Sequence, residues 1–218
     1  MAEWLNQTFY NFDRQFFLIM NGWQKGLGSF LTPFFKFVSF FGEGGIFLIC
    51  LSLFLMLFSS SRKVGMSMLV SIGVGALFTN VILKNAVVRI RPFYEREEYF
   101  SFWVQAGKST VSEFSFPSGH TTVATTSMTA LFLCTNKKKS WCAYIFVILT
   151  ALARTYLIVH YLTDVIAGLV VGLISGWIGT FIAKKIYSKI DAIKHKKWAQ
   201  IFIEFDLYQW LKSKKVKE

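Results

Sequence analysis

An all-α integral membrane protein with about five transmembrane helices is the fold class this sequence predicts. Three observations point there. Five runs, 44–61, 64–83, 114–136, 140–153 and 165–183, contain no Asp, Glu, Lys or Arg. The chain is 54% hydrophobic and 18% aromatic. Its basic residues cluster between alternate runs, at Arg62-Lys63, at Lys137-Lys138-Lys139 and from Lys184 onward. An apolar run of about 18 residues is long enough to cross a bilayer as a helix, and four of the five reach that length.

The elements follow in chain order. Residues 1–43 are apolar but interrupted by Asp13, Arg14, Lys25 and Lys36. They read as two amphipathic helices lying on the membrane surface, with Gly22, Gly26 and Gly28 between them. A sixth span from this segment is the alternative. No basic stretch followed by an apolar core opens the chain, so no cleavable signal peptide is expected. Residues 44–183 hold the five spans. The short run 140–153 ends at Arg154, and Trp141 to Ala183 as one helix would be about 65 Å long, twice what a bilayer needs. A turn near 156–163 is therefore expected. The tail, 184–218, interleaves lysines with Trp198, Phe202, Phe205, Tyr208 and Trp210. It reads as an interfacial helix on the anionic inner leaflet.

The net charge of +12 raises nucleic acid as a partner, but its placement argues for a membrane and against nucleic acid. Counting spans, the three basic clusters share one side, which the positive-inside rule makes cytoplasmic. Residues 84–117 and 154–164 then face outward together. Cys50, Cys134 and Cys142 sit in or beside spans, and an odd count there argues against a disulfide framework.

The outward ends of the spans carry most of the chemistry. Lys84 and Arg91 flank the end of the second span, seven apart, two helical turns on one face. Pro92 marks where the chain leaves that helix. His120 opens the third span, Arg154 closes the fourth, and His160 and Asp164 lie four apart at the start of the fifth. Taken singly, a lysine or arginine at a span end snorkels to the headgroups, and a lone histidine fills an amphipathic site. Together they suit phosphoryl transfer. Three cations bind phosphate oxygens, the arginines by bidentate contact. The backbone N–H groups of Ser118 and Gly119 sit where a helix begins, a ready anion site. A histidine paired with a carboxylate is an oriented nucleophile or base, and a second histidine protonates the leaving oxygen. No cofactor is implied, and no Asp, Glu, Cys and His cluster has metal-ligand spacing.

Lys84-x6-Arg91-Pro92, then Pro117-Ser118-Gly119-His120, then Arg154-x5-His160-x3-Asp164 resembles the signature of the type 2 phosphatidic acid phosphatase superfamily. The resemblance covers roughly residues 40–185. It implies that His160 is the nucleophile that forms a phosphohistidine, that Asp164 is its partner, and that His120 is the general acid. It also implies that Lys84, Arg91, Arg154, the Ser118 hydroxyl and the Gly119 amide hold the phosphoryl oxygens. The family's third motif usually opens with Ser before the Arg. Here that position is Ala153, which implies one lost phosphate contact, worth about 1 kcal/mol.

Within that superfamily the layout is similar to undecaprenyl diphosphate phosphatases, which makes undecaprenyl diphosphate the first substrate expectation. Phosphatidylglycerophosphate and phosphatidic acid are the alternatives. The expected partners are a lipid phosphate and the bilayer, in the cell membrane, with the site facing outward. A non-catalytic anion binder or carrier is the rival from another class; it needs the cations but not an oriented imidazole. Residues 93–116 read as an aromatic outer loop, with no role assigned to Glu95, Glu97 and Glu98. Oligomeric state is not legible.

Overall fold

The computed structural model describes residues 1–109, 111 and 114–215, and among them every regular element is helical. Helix α1 (Ala2–Thr8) leads into α2 (Tyr10–Gly42), a 3-10 turn at Glu43–Gly45, and α3 (Ile46–Met56). Helix α4 (Arg62–Ala76) runs through a π-helical stretch, Leu77–Leu83, into α5 (Lys84–Val87). Two short helices, α6 (Pro92–Glu95) and α7 (Glu97–Gln105), form a cap over one end. Helices α8 (Gly119–Cys134), α9 (Lys137–Ser140), α10 (Ala143–Tyr156) and α11 (Leu162–Ala192) follow. The chain closes with α12 (Lys197–Glu204) and α13 (Leu207–Lys215).

Helices α4, α8 and α11 pack on one another at the centre, α3 lies on α4, and α10 bridges α8 to α2. Between α8 and α11 the contact is made by small residues. Gly168, Gly172 and Gly176 meet Thr121, Thr122, Thr125 and Thr129. Glycines four apart let two backbones approach in a medium where apolar side chains gain nothing by leaving lipid. The threonine hydroxyls are satisfied in place. Thr125 donates to the Thr121 carbonyl (2.7 Å), and Thr126 crosses to the Gly172 carbonyl (3.3 Å). A Cβ at Gly172 would stand 2.5 Å from Thr125 Cβ, whereas one at Gly22 would meet nothing within 4 Å. Gly172→Ala is therefore expected to destabilise the bundle by about 1–3 kcal/mol. Gly22→Ala is expected to be neutral or slightly stabilising. Thermal unfolding of both variants in detergent checks this; equal melting temperatures would refute the close-packing account.

Three helical stretches, Tyr10–Met56, Arg62–Glu95 and Leu162–Ala192, are long and apolar enough to cross a membrane. The other apolar runs are helical but shorter. At 1.5 Å per residue, α8 and α10 rise only about 24 and 21 Å against a hydrocarbon core of about 30 Å. The expected turn after Arg154 is present, between Tyr156 and Leu162.

Several details differ from the sequence reading. The N-terminal segment does not break at Gly22, Gly26 and Gly28; α2 runs through all three. Burial of Phe17, Met20, Phe35 and Val38 along one face outweighs the weak helix propensity of isolated glycines. The chain turns instead at Gly44 and Gly45, both at positive φ, which glycine adopts without steric cost. The composition change at residue 184 is not a structural break either, because α11 continues unbroken to Ala192. The tail then folds back. The buried Arg62 guanidinium donates to the Met56 carbonyl (3.0 Å), the Ile203 carbonyl (2.6 Å) and the Phe205 carbonyl. The Ser59 amide and hydroxyl bind Asp206, holding its carboxyl below the usual carboxylate range.

The bundle has two chemically distinct ends. Lys63, Cys134 and Lys184 line a cavity at one end. Helix α4 runs away from that end toward Lys84, and α8 returns to it from Gly119.

Candidate active site

At the other end a cavity of about 750 Å³ is lined by six of the eight sequence candidates: Lys84, Arg91, Gly119, His120, Arg154 and His160. They arrive from α5, the segment after it, the start of α8, the end of α10 and the turn before α11. Ile49, Ile72, Ala76 and Val123 line the same cavity, as does Glu43, so its wall combines cations, one carboxylate and apolar side chains. Asp164 lies behind His160 and Ser118 beneath Gly119, both wholly buried.

His160 faces a guanidinium at one ring nitrogen and a carboxylate at the other. Its Nε2 lies 3.2 Å from Arg91 Nη1, and that Nη1 also donates to the Val159 carbonyl at 2.7 Å. A guanidinium has no acceptor, so the Nε2 lone pair must accept. The proton of the neutral ring then sits on Nδ1, which lies 3.5 Å from Asp164 Oδ2, the nearest carboxylate oxygen among the described residues but beyond good hydrogen-bond geometry. The tautomer this produces presents an unprotonated nitrogen in the cavity.

The route to this pairing is not the helical face that spacing suggests. Helix α11 begins at Leu162, after His160. Asp164, in its first turn, accepts the Tyr161 amide at 3.0 Å, and this helix cap brings the carboxylate to the imidazole. Lys84 and Arg91 likewise do not share a helix. Helix α5 ends at Val87, and Val88 takes a left-handed conformation that returns the chain to the cavity. Ile158 does the same before His160. A β-branched residue at positive φ is strained, by about 1–3 kcal/mol, and such strain persists only where surroundings enforce it. Both strained residues sit within three positions of a cavity side chain.

Ser118 has partners within the protein at both its amide and its hydroxyl. Its amide donates to the Asp164 carbonyl (3.0 Å) and its hydroxyl accepts from Thr121 (3.0 Å). The amide is thus unavailable to an anion; it ties the start of α8 to the start of α11. Gly119 keeps its place on the cavity wall.

Arg154 is 3% exposed. Its Nη1 donates to Ser39 Oγ at 2.5 Å, while Nε and Nη2 are buried without a partner. Buried donors of a cation are costly to leave unsatisfied, so this group calls for an anion in the cavity. Ala153 packs with Phe35 and Tyr156 in the apolar cluster under the site and does not line the cavity. The hydroxyl reaching this arginine comes instead from Ser39 on α2.

Arg89 is the residue that sequence reading passed over. Its guanidinium is 1% exposed and donates to Asn6 Oδ1 (2.6 Å), Thr163 Oγ1 (2.7 Å), Asp164 Oδ1 (2.7 Å) and Asp13 Oδ2 (3.0 Å). It lies 3.7 Å over the Tyr161 ring, and the Tyr161 hydroxyl donates to Glu95. The usable signal was Asp13, an isolated carboxylate in an apolar helix, which in a membrane protein demands a buried cationic partner. Glu98 acquires a role too, pairing with Arg14 at 3.0 Å. The aromatic loop is a packed cap: Phe93 stacks on Trp103 at 4.5 Å, and Tyr99 meets Phe17 on α2 at 4.9 Å. Expectations for residues 110, 112 and 113 of that loop lie outside the described residues.

Among the described residues no three His, Cys, Asp or Glu side chains come together as a metal would require.

The profile of the PAP2 superfamily matches residues 64–187. An undecaprenyl-diphosphatase of Sulfolobus acidocaldarius is 29% identical over 116 residues, which is 52% of this chain and 52% of that protein, so the match spans about half the relative's length. The crystal structure of Aquifex aeolicus LpxE has the same fold, with a TM-score of 0.62 at 24% identity, covering 76% of this chain and 92% of that one.

Proposed function

This chain belongs to the PAP2 superfamily, and from that premise we propose that it is a membrane lipid phosphatase working through a phosphohistidine. One observation carries the reading: Arg154 keeps two buried, unpaired donors on the same cavity wall as the unprotonated Nε2 of His160. An anion bound by Arg154, Arg91 and Lys84 would sit against a nucleophile. His160 Nε2 attacks phosphorus, the bond from phosphorus to the leaving oxygen breaks, and His120 gives that oxygen a proton. Asp164 steadies the positive ring that results. Water, deprotonated by His120, then attacks phosphorus, the phosphorus–nitrogen bond breaks, and inorganic phosphate leaves. Lys84, Arg91 and Arg154 supply the charge stabilisation that a metal gives elsewhere.

The apolar wall of Ile49, Ile72, Ala76 and Val123 supports a lipid substrate. Undecaprenyl diphosphate is our first choice, in keeping with the name of the Sulfolobus relative. The basic clusters at the opposite end of the bundle support a cell-membrane orientation with the site outward. The exposed Trp198, Ile201, Tyr208 and Trp210 of the tail suit the inner headgroup region.

The test is phosphate release by the purified protein in detergent with chelator present. Undecaprenyl diphosphate, phosphatidylglycerophosphate and phosphatidic acid are offered side by side. Release that chelator does not diminish, and that vanadate suppresses as a pentacoordinate phosphoryl mimic, is expected. A strict need for added magnesium would count against this mechanism, and no release from all three lipids would count against the activity.

A further inference from the structure

We propose that Asp13, on α2 and outside the segment matched by the PAP2 profile, is a positioning residue that acts through Arg89 on the Asp164–His160 pair. The inference rests on the phosphatase reading of that pair. Asp13 Oδ1 accepts the Thr163 amide (2.9 Å), and Oδ2 accepts the Thr163 hydroxyl (2.8 Å) and Arg89 Nη2 (3.0 Å). Arg89 Nη1 then binds Asp164 Oδ1, while Asp164 Oδ2 is the oxygen nearest His160 Nδ1. One chain of contacts therefore runs from the N-terminal helix to the nucleophile. It is buried throughout: Asp13, Arg89 and Asp164 are 2%, 1% and 0% exposed.

Charge counting gives the arrangement its purpose. Two carboxylates share one guanidinium, so the cluster behind His160 holds one net negative charge. Attack on phosphorus turns the imidazole into a cation, and the cluster offsets it in a region water does not reach. With Asp13 neutral, Arg89 would cancel Asp164 and the ring would face no net charge from behind. The cavity that His160 lines also carries Lys84, Arg91, Arg154 and His120, all neutral or positive, against Glu43 as the one carboxylate among the described lining residues. An ion pair serving the fold alone would not need to include the carboxylate that orients the imidazole.

Asn6 offers the opposite change. Its Oδ1 accepts Arg89 Nε at 2.6 Å from the partly exposed helix α1, so Asn6→Asp adds a negative charge to the same cluster. The experiment follows the ring nitrogens by NMR in histidine-labelled protein. The chain has three histidines, His120, His160 and His195, and His160→Gln identifies the signal. Relative to the parent, the His160 titration is expected to move to lower pH in Asp13→Asn and to higher pH in Asn6→Asp. Asp13→Asn is also expected to lower kcat by about tenfold or more with KM little changed. An unmoved titration in Asn6→Asp overturns the proposal, including where Asp13→Asn fails to fold. So does a folded Asp13→Asn with parental kcat and titration. The titration is read without substrate, so its failure is separable from a failure of the parent protein to release phosphate.

Discussion

Replacing His160 with alanine is expected to lower kcat for phosphate release by about 10⁴-fold or more, with the protein still folded. The size follows from the role. A nucleophile acting as one unit with its general acid and its carboxylate carries most of the chemical rate, and losing it leaves only what binding and charge stabilisation supply. Alanine also opens a void beside Arg91 and Asp164, so His160→Gln is the companion that keeps much of the volume and offers its amide oxygen as an acceptor to Arg91. Both should be equally inactive, because an amide nitrogen has no free lone pair to attack phosphorus. Phosphate release within tenfold of the parent in either variant would remove His160 from the mechanism. The phosphoenzyme gives an independent check: acid-labile phosphate trapped on the parent after rapid quench should be absent from both.

The second large effect is on the fold. Arg89→Met is expected to destabilise the protein by about 3–5 kcal/mol, the usual consequence of removing one partner from a buried ion pair. Asp13 and Asp164 would then lie buried beside each other without a cation, and at least one would have to take up a proton. Arg89→Lys should recover only part of the loss, since a single ammonium cannot reach Asn6, Thr163, Asp164 and Asp13 at once. Thermal unfolding in detergent measures the cost directly. A parental melting temperature for Arg89→Met would mean that this network does not hold α2 to the start of α11, and the argument for Asp13 would lose its geometry.

Arg89 and Arg91 show why the site was only partly legible in the sequence. Both arginines precede Pro92, and the motif spacing singled out Arg91 alone. Nothing local separates them. What does is the left-handed turn at Val88, after which Arg91 enters the cavity and Arg89 goes to Asp13 and Asp164. Ser118 is a similar case. A serine at a helix start is a sound candidate for binding an anion, yet its amide is taken by the Asp164 carbonyl, 46 positions along the chain. The surroundings of Ala153 are likewise beyond any local reading. Ala153 faces the apolar cluster, and Ser39, distant in sequence, brings a hydroxyl to Arg154.

By itself the sequence determined the class of the fold, the apolar runs, the turn after Arg154 and the set of side chains from which the proposed phosphate site is drawn. These follow from composition, run length and residue chemistry, which act over a few neighbouring positions. Only the tertiary structure decided which of those side chains line the cavity, which nitrogen of His160 faces it, and that the N-terminal helix belongs to the site. Those outcomes depend on contacts between residues as far apart as Asp13 and Thr163, whose pairing is set by how helices cross and where left-handed turns redirect the chain. A buried charge must find its partner somewhere, but sequence spacing does not say where.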